Sequence, residues 1–431
     1  MTPATPKPSH PGEPSSPPAG TGSQEPRSQP ADSQEPGSQL AGAVRIPLPA
    51  QPERTRPRRM RAARRRDRRV YLLSHPLLFA LLAATRHRPS TRLGRTVLTH
   101  SRTAFVDGLT RVPLNRTAEG TTGGAAGTLT GGSLLFDQEG DAHRTTRRSL
   151  ADHLSADGVS RLRPIWLAVL NQHLTPLSTG GTVDLVSLSA DLAGTTAAAL
   201  LNLDVPGPLL ATAARTAAAA AARDHLPGLR RPGAHKAAHR AAANLTTLII
   251  STRTELTAEP GESEGDGAGE DGLAAMLAVA AVNTTVAALP RAVAWCADAG
   301  LWSYAESHPE ALTAELLRVT APTPLLPRVA AADGEVAGCP VRVGDRLILV
   351  ARHAVDAHRR DPSPEDPAPP QVAQLVFGAG THACPGARLA RQQIQDVLAA
   401  LAKFRPVVVS ARVDRHSALP GWSSLIVKPG Q

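Results

Sequence analysis

Large apolar residues are scarce in roughly the first fifty positions of this chain and common after them. From Met1 to about Gln51 the chain is mostly Pro, Ser, Gly, Thr, Gln and Ala. Such a composition buries too little surface to offset the entropy of ordering it, so residues 1–52 are expected to form a disordered tail. Residues 53–70, "ERTRPRRMRAARRRDRRV", predict a solvated basic arm. From Tyr71 onward the texture is helical, with long Ala- and Leu-rich segments broken by Pro and Gly, and residues 71–431 are expected to be one folded domain. "YLLSHPLLFALLAA" (71–84) falls short of the roughly 20 residues that span a bilayer and contains His75 and Pro76, which predicts a buried helix opened by Pro76. Further helix candidates run from about Asp141 to Leu174 and from Ser187 to Ile250. Residues 121–133 and 259–272 are rich in Gly and are expected to be loops. Short β-branched runs at 346–351, 406–411 and 423–428 predict strands. The fold class is therefore mainly α with a small β region.

Composition adds exclusions. The net charge of +10 is inflated by the arginine block, and aromatics at 3% are too few for a base-stacking surface, so nucleic-acid binding by the folded part is not expected. Cys296, Cys339 and Cys384 form no C-x-x-C pair, which argues against a disulfide framework and a structural zinc site. With no basic segment leading into an apolar run near Met1, the expectation is a soluble, cytoplasmic protein without a membrane anchor.

One stretch concentrates candidate chemistry: "LVFGAGTHACPGARLARQQIQ". Gly378 and Gly380 allow backbone conformations closed to other residues and leave space against the main chain. Pro385 is suited to a first helical position, so Cys384 is expected to cap the helix that carries Arg388, Leu389, Ile394 and Leu398. The partial positive charge of a helix end would favour an exposed, ionised sulfur. A nucleophilic cysteine needs a base, and His382 is only two residues away. A metal ligand needs companions, or a cofactor such as haem that brings the other four. A lone cysteine is more often a buried structural residue.

"FGAGTHACPG" resembles the haem-binding loop of the cytochrome P450 family, with Phe377, Gly378, Gly380, His382, Cys384 and Gly386 at the matching places. Other stretches resemble family motifs in the same order. Glu315 and Arg318, followed by "PLLPRVA", are similar to the K-helix pair, and Arg328 to the propionate-binding arginine. His143 and Arg147, four apart, are similar to the C-helix pair that faces the haem propionates. "LAVAAVNTTVAALPRAVAW" (277–295) is similar to the central I-helix, with Ala280 and Ala281 facing substrate. Asn283 stands there in place of the usual acid, beside Thr284. Pro290 is expected to bend that helix. The family's further arginine, which completes a triad with Glu315 and Arg318, has no counterpart at the matching place; Arg359 and Arg360 are the candidates to replace it.

The resemblance implies the P450 fold, with haem b between the I-helix and the loop of Cys384, its axial ligand. It implies a monooxygenase that uses dioxygen and two electrons from a ferredoxin and its reductase, with Thr284 and Asn283 as catalytic residues. Arg147, Arg148, Arg388 and Arg391 are candidates for the docking face. The substrate implied is a largely hydrophobic small molecule, a secondary-metabolite intermediate. Candidate pocket residues are Ala280, Ala281, Leu325, Leu326, Trp422 and Ser423, with the loop 107–133 and the segment 223–240. An alternative, motivated by Asn283 and the missing arginine, is a catalytically impaired auxiliary protein that keeps the fold and partners another enzyme.

Overall fold

The computed structural model describes residues 56–130, 134–225, 232–253 and 267–430. The expected tail lies outside them, as does most of the 259–272 loop. Sixteen α-helices occur among the described residues. The first eight are α1 (Arg56–Ser74), α2 (Pro76–Thr85), α3 (Arg102–Thr110), α4 (Thr122–Thr130), α5 (Gly140–Ser149), α6 (Ala151–Leu154), α7 (Ala156–Ser178) and α8 (Leu185–Leu200). There follow α9 (Gly207–His225), α10 (Ala234–Thr252), α11 (Gly267–Ala299), α12 (Tyr304–Ser307), α13 (Pro309–Thr320), α14 (Ala351–Ala354), α15 (Pro370–Ala373) and α16 (Ala387–Ala402).

The strands form three small sheets. In the first, β1 (Ser90–Leu93), β2 (Thr96–Thr99), β7 (Arg346–Leu349) and β4 (Leu326–Val329) lie side by side in that order, with β2 and β7 parallel. In the second, β3 (Val183–Asp184) and β8 (Val407–Asp414) flank β9 (Gly421–Lys428). β5 (Gly334–Val336) and β6 (Cys339–Val341) form a hairpin. The three strands expected from sequence are β7, β8 and β9. The others are only two to four residues long, too short to carry an apolar alternation.

α11 organises the molecule. Its 31-residue stretch Gly269–Ala299 is long and apolar enough to cross a bilayer, yet its inner positions are buried in the main core with Trp166, Leu188, Leu316, Val397 and Leu425. An all-round apolar helix is what a central core position requires. The helix runs unbroken through Pro290.

Two expected non-helical segments are helices. The stretch read as a loop at 121–133 contains α4: Gly123 and Gly124 lie so close to the carbonyl oxygens of Arg116 and Ala118 that a side chain at either place would collide. These glycines serve close approach rather than flexibility. The arginine block expected to be solvated is α1 from Arg56 on, with Met60, Ala63, Asp67, Val70 and Tyr71 buried at helical spacing. Asp67 anchors it. Its carboxylate accepts from Arg291 of α11 (2.9 and 2.6 Å) and from Arg352 of α14 (3.3 Å). Both guanidinium groups lie over the Tyr71 ring, at 4.6 and 4.2 Å, and the Tyr71 hydroxyl donates to the Thr320 carbonyl (2.5 Å). Pro76 does open α2.

A second polar cluster is buried where α2, β2 and α14 meet. Thr85 Oγ1 donates to the Leu81 carbonyl (2.9 Å), so it accepts from His100 Nε2 (2.9 Å). His100 Nδ1 is then left to accept from His353 Nδ1 (2.9 Å). His100 is therefore neutral, and burial keeps His353 uncharged as well. Burial, chiefly, holds His100 at about 4 and His353 at about 2.

Candidate active site

The Cys384 loop is closed by its own backbone. The Cys384 amide donates to the Phe377 carbonyl (2.8 Å), and the Ala383 amide to Gly380 (3.1 Å). Gly378, at φ 81° and ψ −169°, occupies a region open essentially to glycine alone. Arg391 lies 4.7 Å over the Phe377 ring and donates to Gln374, which fixes the entry to the loop. The exit differs from expectation. A turn at Pro385 and Gly386 separates the cysteine from α16, which starts at Ala387 with Gly386 at its N-cap. Cys384 therefore does not cap the helix.

The sulfur is exposed, but the loop encloses it on most sides, and this burial pushes the thiol up. The Gly386 amide, which bonds the sulfur, and the charges of Arg147 and Arg391 work in the opposite direction. The expected ionised sulfur is thus not a property of the loop by itself.

Around the loop the chain gathers arginines and neutral histidines. His143 of α5 is buried, and its ring lies 3.9 Å from that of His382. Arg147, one turn further along α5, donates to the Ala383 carbonyl (2.5 Å) and so ties that helix to the cysteine loop. Arg328 on β4 donates to Thr122 Oγ1 of α4 (3.0 Å), while its buried Nε has no partner among the described residues. Burial, then Arg116, lowers Arg328 to about 10. Burial, then Arg116, His143, Arg328 and Arg147, lowers His382 to about 3. Glu139, 3.0 Å from Arg116, is a carboxylate that faces this group. Arg116 was not legible in sequence, because "PLNRTAEG" matches no motif and the residue joins the cluster only through folding.

The Glu315–Arg318 pair is fully buried and bidentate, at 2.8 and 2.7 Å. Among the described residues no third arginine side chain completes it. The Glu315 carboxylate instead accepts from the amides of Ser363 (3.0 Å) and Ala368 (2.9 Å), and Arg318 donates to the carbonyls of Val355, Arg360 and Asp361. Burial alone would raise Glu315, but Arg318 and the two amides outweigh it and hold the carboxyl below its usual range. The side chains of Arg359 and Arg360 do not take the expected place: Arg360 pairs with Asp366, and Arg359 is exposed.

On α11, Thr284 Oγ1 donates to the Ala280 carbonyl (2.8 Å). Asn283 Nδ2 donates to Val279 O (2.8 Å) and, across to α9, to Ala214 O (3.4 Å). Asn283 and Val286 line a small cleft with Arg215, Ser417, Leu419 and Trp422. Of the six expected pocket residues, Trp422 is the one that lines this cleft. Ala280 and Ala281 are half-buried on α11. Leu325 and Leu326 pack into the clusters that flank the first sheet, and Ser423 faces out, its hydroxyl on the Arg412 carbonyl (3.2 Å). Residues 131–133 and 226–231 of the expected pocket segments lie outside the described residues.

The helices gather about one long central helix, and a cysteine loop faces a group of arginines and histidines beside it. No family model matches the chain. Sequence similarity links it to cytochrome P450 YjiB of Bacillus subtilis, 31% identical over 146 residues, which cover 30% of this chain and 34% of that protein. It also links it to cytochrome P450 140 of Mycobacterium tuberculosis, 31% identical over 170 residues (37% of this chain and 38% of the relative). The chain thus matches little more than a third of these relatives' length. Among solved structures, CYP109E1 from Bacillus megaterium in complex with testosterone superposes at a TM-score of 0.66 with 18% identity, covering 84% of this chain and 100% of that one. P450BioI, in complex with a fatty-acyl acyl carrier protein, superposes at 0.64 with 18% identity, covering 83% and 99%. The chain has the cytochrome P450 fold and sequence relatives that carry that family name.

The residues fit the haem that this fold family carries. Cys384 offers a reachable sulfur, a soft ligand suited to iron. Arginines stand beside it, and Arg328 Nε is a buried donor with no partner among the described residues, which is what a propionate would satisfy.

Proposed function

We propose that this chain is a haem-thiolate monooxygenase. The observation that carries the reading is the gathering of Arg116, Arg147, Arg328, His143 and His382 around the Cys384 loop, with the buried Arg328 Nε donor left without a partner among the described residues. Haem b would be held by Cys384 at the iron and by His143, Arg147 and Arg328 at the propionates, with Phe377, Gly378, His382 and Gly386 shaping the loop. When bound, it supplies reductive activation of dioxygen, so that one oxygen atom enters the substrate. The rest falls to the protein. The Thr284 hydroxyl and the Asn283 amide can hold water beside α11, but an amide has no proton to give near neutral pH. Proton delivery at Asn283 would therefore pass through water rather than through the side chain.

Two electrons would come from a ferredoxin and its reductase. Of the four arginines considered for docking, Arg148 and Arg388 are exposed, whereas Arg147 and Arg391 are engaged within the loop's own scaffold. The substrate would be a largely apolar small molecule, of the kind met in secondary metabolism, reached from a cytoplasmic enzyme. Relatives point the same way: linalool 8-monooxygenase of Pseudomonas putida is 28% identical over 134 residues, 29% of this chain and 33% of that enzyme. An auxiliary role without catalysis is disfavoured, because a scaffold has no use for the sulfur and the cations together.

The test is optical. The haem-loaded protein, reduced under carbon monoxide, is expected to show a thiolate-type absorbance, and Cys384→Ser to lose it. A Cys384→Ser protein that keeps this band would rule out the assignment of the ligand.

A further inference from the structure

The proposed chemistry leaves the outward side of α1 and α2 unexplained. On α1, Arg58, Arg61, Arg65, Arg69 and Leu72 follow one another at steps of three or four residues and so form one stripe along the helix. All five are exposed. The arginines that hold α1 to the body are different ones: Arg64 pairs with Asp361 and Arg66 with Asp298, each at 2.5 Å. Arg58, Arg61, Arg65 and Arg69 form no ion pair with any other described residue. Between Arg56 and Arg88 the chain has a single acidic residue, Asp67, and it is buried.

The stripe runs into leucines. Leu72 and Leu73 are 50% and 38% exposed, and on α2 Leu77 and Leu81, one turn apart, are 86% and 40% exposed. Exposed Ala80 and Ala84 share that face of α2 by spacing, and Arg86 and Arg88, also exposed, follow immediately. Apolar side chains are thus uncovered between two sets of cations.

We propose that the α1–α2 face docks on an anionic phospholipid surface, its arginines on the headgroup phosphates and Leu72, Leu73, Leu77 and Leu81 in the boundary below them. Charge complementarity accounts for the arginines, whereas a nucleic acid would have no use for a row of leucines turned to solvent. A lipid interface uses both. The docking is peripheral: neither helix has the length to cross a bilayer as an apolar span. It does not depend on the monooxygenase reading.

Cosedimentation of the full chain with vesicles tests it. Binding is expected to vesicles of equal parts phosphatidylcholine and phosphatidylglycerol, and not to phosphatidylcholine alone. Arg61→Glu/Arg65→Glu/Arg69→Glu and, separately, Leu77→Ser/Leu81→Ser should each weaken it by about tenfold or more. Both variants should keep the parent's melting temperature, because the side chains are exposed; if the serine variant melts early, Leu77→Ala/Leu81→Ala is scored in its place. Absence of binding to the anionic vesicles overturns the proposal. So does a leucine variant that binds as well as the parent, since the surface would then act by charge alone, and so does an arginine variant that binds undiminished.

Discussion

The His100 tautomer is pinned by a chain of donors that ends on the Leu81 carbonyl, and protonating His100 Nδ1 breaks that chain, while burial opposes a charge on His353. Both groups sit below the ordinary imidazole value of 6.5, mainly through burial, with neighbouring positive charge from His358, Arg352, Arg86 and His87 in support. The unfolded chain therefore takes up protons first as pH falls. Their stabilising contribution is complete above about pH 6.5 and declines toward the folded value of about 4 for His100. By pH 5 the loss is about 2 kcal/mol for each ring. Melting temperatures at pH 7 and pH 5 should show the drop, and His100→Asn/His353→Asn should flatten it; a parent protein as stable at pH 5 as at pH 7 would contradict the pairing. No sequence pattern announces these two residues, 253 positions apart, whereas Cys384 and its glycines were legible because the constraint is local. Arg116 shares the fate of the histidines: its role arises from neighbours that only the fold brings near.

At the scale of elements, legibility followed the same rule. α11, α13, α16 and strands β7 to β9 are readable from apolar runs, because their burial is written into consecutive residues. α1 was hidden. Its arginines mask the buried spacing of Met60, Ala63, Asp67 and Val70, and the partner of Asp67 lies 224 positions away. α4 was hidden by its glycines, which signal flexibility in sequence and tight packing in the structure. The corrected start of the folded part has a direct test. Deletion of residues 1–65 removes Met60 from the core and Arg64 from its pair with Asp361, and is expected to lower stability by about 2–5 kcal/mol. Deletion of residues 1–52 spares both. Chemical denaturation of the two truncations should separate them, and equal midpoints would return α1 to the status of a solvated arm.

At the scale of the whole molecule, one carboxylate joins parts far apart in sequence. Asp67 connects α1 to α11 and α14, and Tyr71 carries the link to the end of α13. Asp67→Ala leaves two arginines without their charge partner, one of them fully buried, and is expected to cost about 3–5 kcal/mol in a single cooperative transition. A shift confined to a minor early transition, read by calorimetry, would mean that α1 is energetically separate. The clamp on Glu315 has a different character. Its amides come from Ser363 and Ala368 and its carbonyls from the residues just before them, groups that every residue except proline supplies equally. What this segment must preserve is its path and its length rather than the identity of its side chains. The stretch can therefore drift in sequence far from its relatives while still doing the work that an arginine does elsewhere, and comparison of letters alone will underestimate how much of the architecture has been kept.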